Sequence, residues 1–181
     1  MVEIEFSLSK EDYLVYQLYA SSQSKVIKSS RFKNWLLIPI LYLILGVILN
    51  VVLGQIYLFA LSIIAVLWVL LYPFYSKYTY TKNYIRNIDE IYGERFGKVC
   101  KIIITMEYLI MELPAEETKL KFPEVVQITE INDYFFLGLR NDSAIIIPKL
   151  KVDYFSLLKF MNQLTEKTNV TIYKNLTWKW K

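Results

Sequence analysis

From Asn34 to Ser76 the chain carries no charged residue, and its apolar body runs from Trp35 to Tyr75. That stretch constrains everything else. A bilayer core about 30 Å thick takes roughly 20 apolar residues per crossing helix, so the run is long enough for two crossings. A signal peptide does not account for it, because a patterned segment of about 33 residues comes first and the apolar run is several times a signal core. A buried hairpin in a soluble fold does not account for it either, because the rest of a 181-residue chain cannot surround two wholly apolar helices.

The limits of the crossings follow from residue type. The first is expected over Trp35–Leu53 and the second over Ile56–Tyr75, with Asn50, Gly54 and Gln55 supplying a very short reversal. Pro39 and Pro73 are placed near helix ends, where bilayer helices tolerate them. Trp35, Trp68, Tyr72 and Tyr75 fall at the headgroup level of the outer ends, as amphipathic rings do. Lys25, Lys28, Arg31 and Lys33 precede the hairpin, Lys77, Lys82 and Arg86 follow it, and the reversal is uncharged. Basic residues are retained in the cytoplasm, so both termini are expected there, on a multi-pass membrane protein.

Outside the hairpin the period of the sequence changes twice. Val2, Ile4 and Phe6 alternate with Glu3 and Glu5, the pattern of a half-buried strand. Ser9 then caps a helix over about 10–23 with Glu11 and Asp12 in its first turn, and residues 21–33 are polar and basic. After the membrane, a helix is expected over Lys77–Glu94 with Tyr84, Ile85, Ile88 and Tyr92 on one stripe, ended by Gly93 and Gly97. Six strands follow, Lys98–Thr105, Tyr108–Leu113, Lys119–Phe122, Val125–Ile131, Tyr134–Leu139 and Ala144–Ile147. The turns lie at Leu113-Pro114-Ala115, Asn132-Asp133 and Arg140-Asn141-Asp142. A last helix over about 152–167 is expected to bury Phe155, Leu158, Met161 or Asn162, and Leu164 or Thr165. The tail 171–181 reads as a short strand or an interfacial segment.

These elements predict an α+β membrane protein. Its four segments are an N-terminal strand and amphipathic helix (1–33), a transmembrane hairpin (34–76), a connecting helix (77–97) and a sheet-plus-helix domain (98–181). The domain is expected to be a curved antiparallel sheet or small barrel closed by the C-terminal helix, joined by strand 2–6 because a hairpin returns the chain to the side it left.

The chemistry is sparse. With no histidine, His-based triads, Cys-His pairs and HExxH sites are out of reach, and with one cysteine, Cys100, there is neither an internal disulfide nor a cysteine zinc site. The acidic pairs Glu11-Asp12, Asp89-Glu90 and Glu116-Glu117 are expected on helix starts, helix faces or turns, without a phosphate loop or serine elbow beside them. No catalytic residue, cofactor or metal is assigned, and a net charge of +4 is too small for a nucleic-acid face. Two basic features remain. Arg140, Lys149 and Lys151 are placed on a rim where the last strand meets the helix, suited to anionic headgroups. Trp178 and Trp180 interleave with lysines in the tail, the composition of a membrane interface.

The segment Phe6-Ser7-Leu8-Ser9-Lys10-Glu11-Asp12-Tyr13, the basic Arg31 before a two-helix hairpin, and Ile145-Ile146-Ile147-Pro148-Lys149 leading into a final helix together resemble the YcxB-like family of small bacterial membrane proteins. The resemblance covers nearly the whole chain through order and spacing; Leu150-Lys151-Val152 stand here where that family tends to place a basic residue and an aromatic. It implies a C-terminal domain similar to bacterial pleckstrin-homology-like domains and no catalytic activity. The expected function is a non-enzymatic, membrane-anchored interaction module that binds a protein partner or lipid headgroups. The alternative is an immunity protein that holds or blocks a membrane-acting toxin. A channel role is disfavoured because the hairpin has no intramembrane Asp, Glu, Lys or Arg. Homo-oligomers are compatible with two lipid-facing helices, although Gly46 alone makes no GxxxG motif.

Overall fold

A computed structural model describes residues 2–113 and 116–180. The fold is α+β, with two long apolar helices and two four-stranded sheets. In chain order the elements are β1 (Val2–Ser7), α1 (Lys10–Gln23), α2 (Lys25–Leu53), α3 (Gln55–Tyr92), β2 (Val99–Ile104), β3 (Tyr108–Leu113), β4 (Glu116–Lys121), β5 (Val125–Glu130), β6 (Tyr134–Leu139), β7 (Ala144–Pro148), α4 (Tyr154–Thr168) and β8 (Ile172–Lys174). The chain divides into two compact units. One joins residues up to Tyr16 with Asn87–Lys179, and the other joins Gln17–Arg86 with Trp180.

In the sheet unit the first sheet has the order β1-β2-β3-β4, antiparallel throughout. The alternation in β1 works as expected: Val2, Ile4 and Phe6 are buried, while Glu3 and Glu5 reach Lys101 at 3.0 and 3.5 Å. The second sheet has the order β7-β6-β5-β8, with β8 parallel to β5. Strands 2–7 are thus split between two sheets, and the break falls at Phe122-Pro123-Glu124, a 3-10 turn whose proline supplies no ladder donor. One core serves both sheets: Ile102, Ile104 and Leu109 meet Ile128, Leu137 and Ile147, and α4 adds Leu157, Phe160, Met161 and Leu164.

Two expectations change here. The apolar face of α4 is rotated by about one residue from the expected stripe, so Phe155 and Leu158 are exposed and Leu157 and Phe160 take their places. Tertiary contact with the sheets selects among several apolar registers that the sequence offers. Glu116 and Glu117 open β4 instead of lying in a turn, opposite Leu113 and Glu112 in the ladder. Of the expected turn at Leu113-Pro114-Ala115, Pro114 and Ala115 lie outside the described residues. The other turns are in place: Asp142 adopts φ 63° between β6 and β7, and Gly97 takes φ 70° before β2. Cys100 is buried in β2, and burial pushes its thiol up to about 11, the state of an inert small hydrophobe.

In the helical unit the basic stretch before the apolar run is itself helical, because Ser24 caps α2 by accepting the Ile27 N–H at 3.4 Å. The second crossing and the connecting helix are likewise a single element, α3. Both prolines therefore lie well inside their helices, not near the ends as expected. The reversal is one residue, Gly54, at φ 113°, a conformation that side chains resist. The helices run antiparallel, with Gly46 against Leu58 and Leu61, Trp35 against Val69, and Arg31 against Ser76. A Cβ on Gly46 would stand 3.3 Å from a Leu58 methyl and 3.4 Å from its Cα, so this glycine serves close approach within the hairpin. The residues buried in the apolar segments are small or ring-closed (Pro39, Gly46, Ala65), while the large aliphatics point outward.

Candidate functional site

The distinctive chemistry of the helical unit is at the open end of the hairpin, away from Gly54. A proline at position 73 has no N–H to give to the Val69 carbonyl one turn earlier. The indole N–H of Trp35 on the facing helix donates to that carbonyl at 3.0 Å. An unsatisfied buried carbonyl costs about 1–3 kcal/mol, so Trp35 acts as a clasp between the helices. One turn toward the open end, Arg31 Nε donates to the buried Ser76 hydroxyl at 3.2 Å. Its guanidinium lies 5.6 Å from the Tyr80 ring centre and 4.9 Å from that of Trp180. Lys77 donates to the Trp180 carbonyl at 3.3 Å. Further along, the Ser21 and Tyr84 hydroxyls share a 2.6 Å hydrogen bond.

The remaining expected interface residues divide. Trp68 packs against Tyr72 and Tyr75 with ring centres 5.4 and 6.4 Å apart. Trp180 belongs to the helical unit, whereas Trp178 belongs to the sheet unit, where its N–H donates to Asn175 at 3.2 Å. Lys25, Lys28, Lys33, Lys77, Lys82 and Arg86 are exposed, and Arg31 is half-buried.

Replacement of Trp35 by phenylalanine keeps the ring and removes the donor. The hairpin is expected to lose about 1–3 kcal/mol, the cost of one unsatisfied buried acceptor. Thermal unfolding of the detergent-solubilised chain followed by far-UV ellipticity measures it, and Trp68→Phe is the matched control.

In the sheet unit the unexpected feature is Asp12, only 3% exposed. Its Oδ2 accepts the Ser9 N–H at 2.6 Å, the Ser9 hydroxyl at 3.0 Å and the Lys151 ammonium at 2.5 Å, and its Oδ1 accepts the Tyr134 hydroxyl at 2.9 Å. Asp12 N–H in turn donates to the Ser9 hydroxyl at 3.4 Å, which closes a capping box with aspartate in the glutamate role. Burial alone would raise this carboxyl, but the Lys151 ammonium, the Ser9 N–H and the two hydroxyls outweigh it and hold the group below the usual carboxylate range. Tyr134 moves the other way: burial, then its hydrogen bond to the carboxylate, keeps the phenol protonated. Lys151 also donates to the Ser7 carbonyl at 3.2 Å. The segment 6–13 and the corner after Ile145–Lys149, the two ends of the family resemblance, are thereby tied together. The sequence signal for this was the S-x-x-D spacing, which identified a cap and not a buried ion pair.

The basic rim does not form as one patch. Lys149 pairs with Glu130 at 2.8 Å and lies 4.8 Å from the Phe135 ring centre, and Lys151 is held by Asp12. Arg140 is at the other end of β6, beyond Leu139, where its backbone and guanidinium bond to Glu124 and Pro123 carbonyls at 2.9 and 3.3 Å. Across a strand of this length that separates it from the lysines by about 17–20 Å. Beside this corner are the exposed apolar side chains of Leu150, Tyr154 and Phe155, the last of them expected in the core, with the two rings 5.6 Å apart. A groove of the sheet unit, about 770 Å³, is lined by charges of both signs and crossed by the 2.8 Å Arg95–Glu116 pair. Among the described residues no cluster of three His, Cys, Asp or Glu side chains is arranged to hold a metal.

No family model, curated protein or solved structure matches the chain.

Proposed function

We propose that the chain is a non-enzymatic interaction module anchored in the bacterial inner membrane. In this reading α2 and α3 cross the bilayer as a hairpin, both termini stay in the cytoplasm, and the sheet unit presents a binding surface to a protein partner or to lipid headgroups. The observation that carries the reading is the outward direction of the hairpin's large apolar side chains: Leu41, Ile44, Ile48, Phe59, Ile63 and Leu67 are all exposed along an uncharged stretch. In water each would forgo about 25 cal/mol per Å² of burial, whereas in hydrocarbon no such loss arises. Both helices have the length and composition to cross a bilayer.

Topology adds support. β1 precedes the hairpin and β2 follows it, yet they are paired from Val2↔Ile104 to Ser7↔Val99. A chain that leaves and re-enters one sheet crosses a membrane an even number of times. The seven flanking basic residues and the uncharged reversal give the sense of insertion. A pleckstrin-homology-like domain, as in the YcxB-like family, is consistent with consecutive antiparallel strands in two sheets that share a core with a helix after β7. For the binding surface, exposed Leu150, Tyr154 and Phe155 favour a protein partner, because the adjoining lysines are already engaged in ion pairs.

Single cysteines introduced after Ser9, at Leu53 beside the reversal and after Leu176, in a Cys100→Ser background, test the arrangement with a membrane-impermeant maleimide on intact spheroplasts. Labelling at the reversal alone, with the two distal sites reacting only after lysis, is the expected result. Release of the chain by alkaline carbonate, or labelling of only one distal site before lysis, would overturn it.

A further inference from the structure

Strand β1 ends the first sheet, so it has a ladder on one side only. The register tells which of its backbone groups are left over. Across the β2–β3 turn, Thr105 donates its N–H to the Tyr108 carbonyl at 3.0 Å. Opposed residues of an antiparallel ladder alternate between bonded and unbonded pairs. Ile103 and Lys101 therefore bond to β3, and Ile104, Ile102 and Cys100 turn toward β1. Their partners there are Val2, Ile4 and Phe6. The N–H and C=O groups of Glu3 and Glu5 point the other way, as does the Ser7 carbonyl, which Lys151 meets at 3.2 Å. Among the described residues no hydrogen bond reaches the Glu3 or Glu5 backbone. Donors and acceptors that recur at every second residue of an edge fit another extended chain.

The surface beside this edge is apolar. A groove of about 540 Å³ opens between Val2 and the outer face of α4, where Phe155 is 77% exposed and Leu158 48%. Lys159 and Glu166 on the same wall offset each other in charge, so β1 decides the sign of the site. Glu3 and Glu5 share one lysine, Lys101, and their side chains stay half-exposed. A second copy of β1 would set acids opposite acids, which turns the edge against self-pairing. A strand that alternates apolar and basic residues meets every demand at once. Its backbone continues the ladder, its apolar side chains face Phe155 and Leu158, and its Lys or Arg side chains meet Glu3 and Glu5.

We propose that β1 binds an extended, alternately apolar and basic segment of a partner protein as a further strand of the first sheet. The proposal rests on the protein-partner reading above and gives it an edge, a side-chain pattern and a charge.

The probe is a capped nine-residue peptide of alternating valine and lysine, titrated by fluorescence anisotropy into the full chain in a neutral maltoside detergent. Wild type is expected to bind it saturably, with about two further amides of β1, those of Glu3 and Glu5, protected from hydrogen exchange. Glu3→Pro leaves the β1–β2 hydrogen bonds in place, because that N–H points outward, and should weaken binding at least about tenfold. Phe155→Ala, at an exposed side chain, should weaken it about tenfold. The same peptide with glutamate for lysine should not bind. No binding by wild type, or undiminished binding by Glu3→Pro and Phe155→Ala, overturns the proposal. Binding that survives both changes and falls with Leu150→Ser places the partner at the corner after β7, which removes the edge site and keeps the interaction-module reading.

Discussion

Replacement of Asp12 by alanine is expected to weaken the sheet unit by about 2–4 kcal/mol, the largest effect of any single polar substitution in it. The estimate combines three losses. The capping box of α1 opens, at about 1 kcal/mol. The Tyr134 hydroxyl is left without its acceptor. Lys151 keeps only the Ser7 carbonyl, and because its side chain is 37% exposed, water recovers part of that cost. Asp12→Asn retains the shape and a hydrogen-bond acceptor and should cost about half as much. Hydrogen exchange read by mass spectrometry on peptides of β1, β2 and β6 separates this unit from the helices. Unchanged protection there would show that the ion pair contributes nothing.

The same cluster sets a pH window. The Asp12 carboxyl titrates below its ordinary 3.8 in the folded chain, so its contribution is complete above that value and is lost as the pH falls through the lowered one. Tyr134 titrates above its ordinary 10.0, so its contribution is complete below that value and is lost as the pH rises through the raised one. Protection of the β1–β2 ladder should therefore be flat between about pH 4 and 10 as far as this pair is concerned, with the acid limb abolished in Asp12→Asn.

Ile44→Arg is the second large effect, and its size depends on the solvent around the helix. Ile44 is 52% exposed at the middle of the first apolar segment. In water an exposed isoleucine-to-arginine change is within about 0.5 kcal/mol of neutral. At the centre of a bilayer the same change costs about 2.5–3.5 kcal/mol on insertion scales. Val26→Arg, at a still more exposed position before the uncharged run, should be silent. The fraction of each variant that resists carbonate extraction is the readout. Loss confined to Ile44→Arg is expected, and full retention of both would show that the helix does not lie in hydrocarbon.

How much of this was legible depends on how local the cause is. The alternation of β1, the Ser9 cap, the uncharged run and the reversal at Gly54 are local, and the structure has them where residue type put them. The split into two sheets was not legible, because it turns on which strand pairs β5 adopts, and β8 arrives from the far side of α4 to complete its ladder. Nor was the phase of α4, since Phe155, Leu158, Leu157 and Phe160 are equally apolar and only the sheet surface distinguishes them. The clasp was half visible. Pro73 announces a missing donor, but nothing in the chain says that Trp35, far away in sequence, supplies one. Lys149 and Lys151 read as a basic rim because their partners, Glu130 and Asp12, come from other elements.

The pairing of β1 with β2 also fixes an order of events during synthesis. Val2–Ser7 leaves the ribosome before its ladder partner Val99–Ile104, which is translated only after the whole hairpin. At ordinary elongation rates that interval is roughly 5–20 s. Throughout it, a short alternating strand waits with unsatisfied backbone groups, the kind of segment that recruits other chains. Glu3 and Glu5 hold it apart from them by repulsion, and when β2 emerges the same two carboxylates close on Lys101. The charges that guard the nascent strand become the ones that receive its partner.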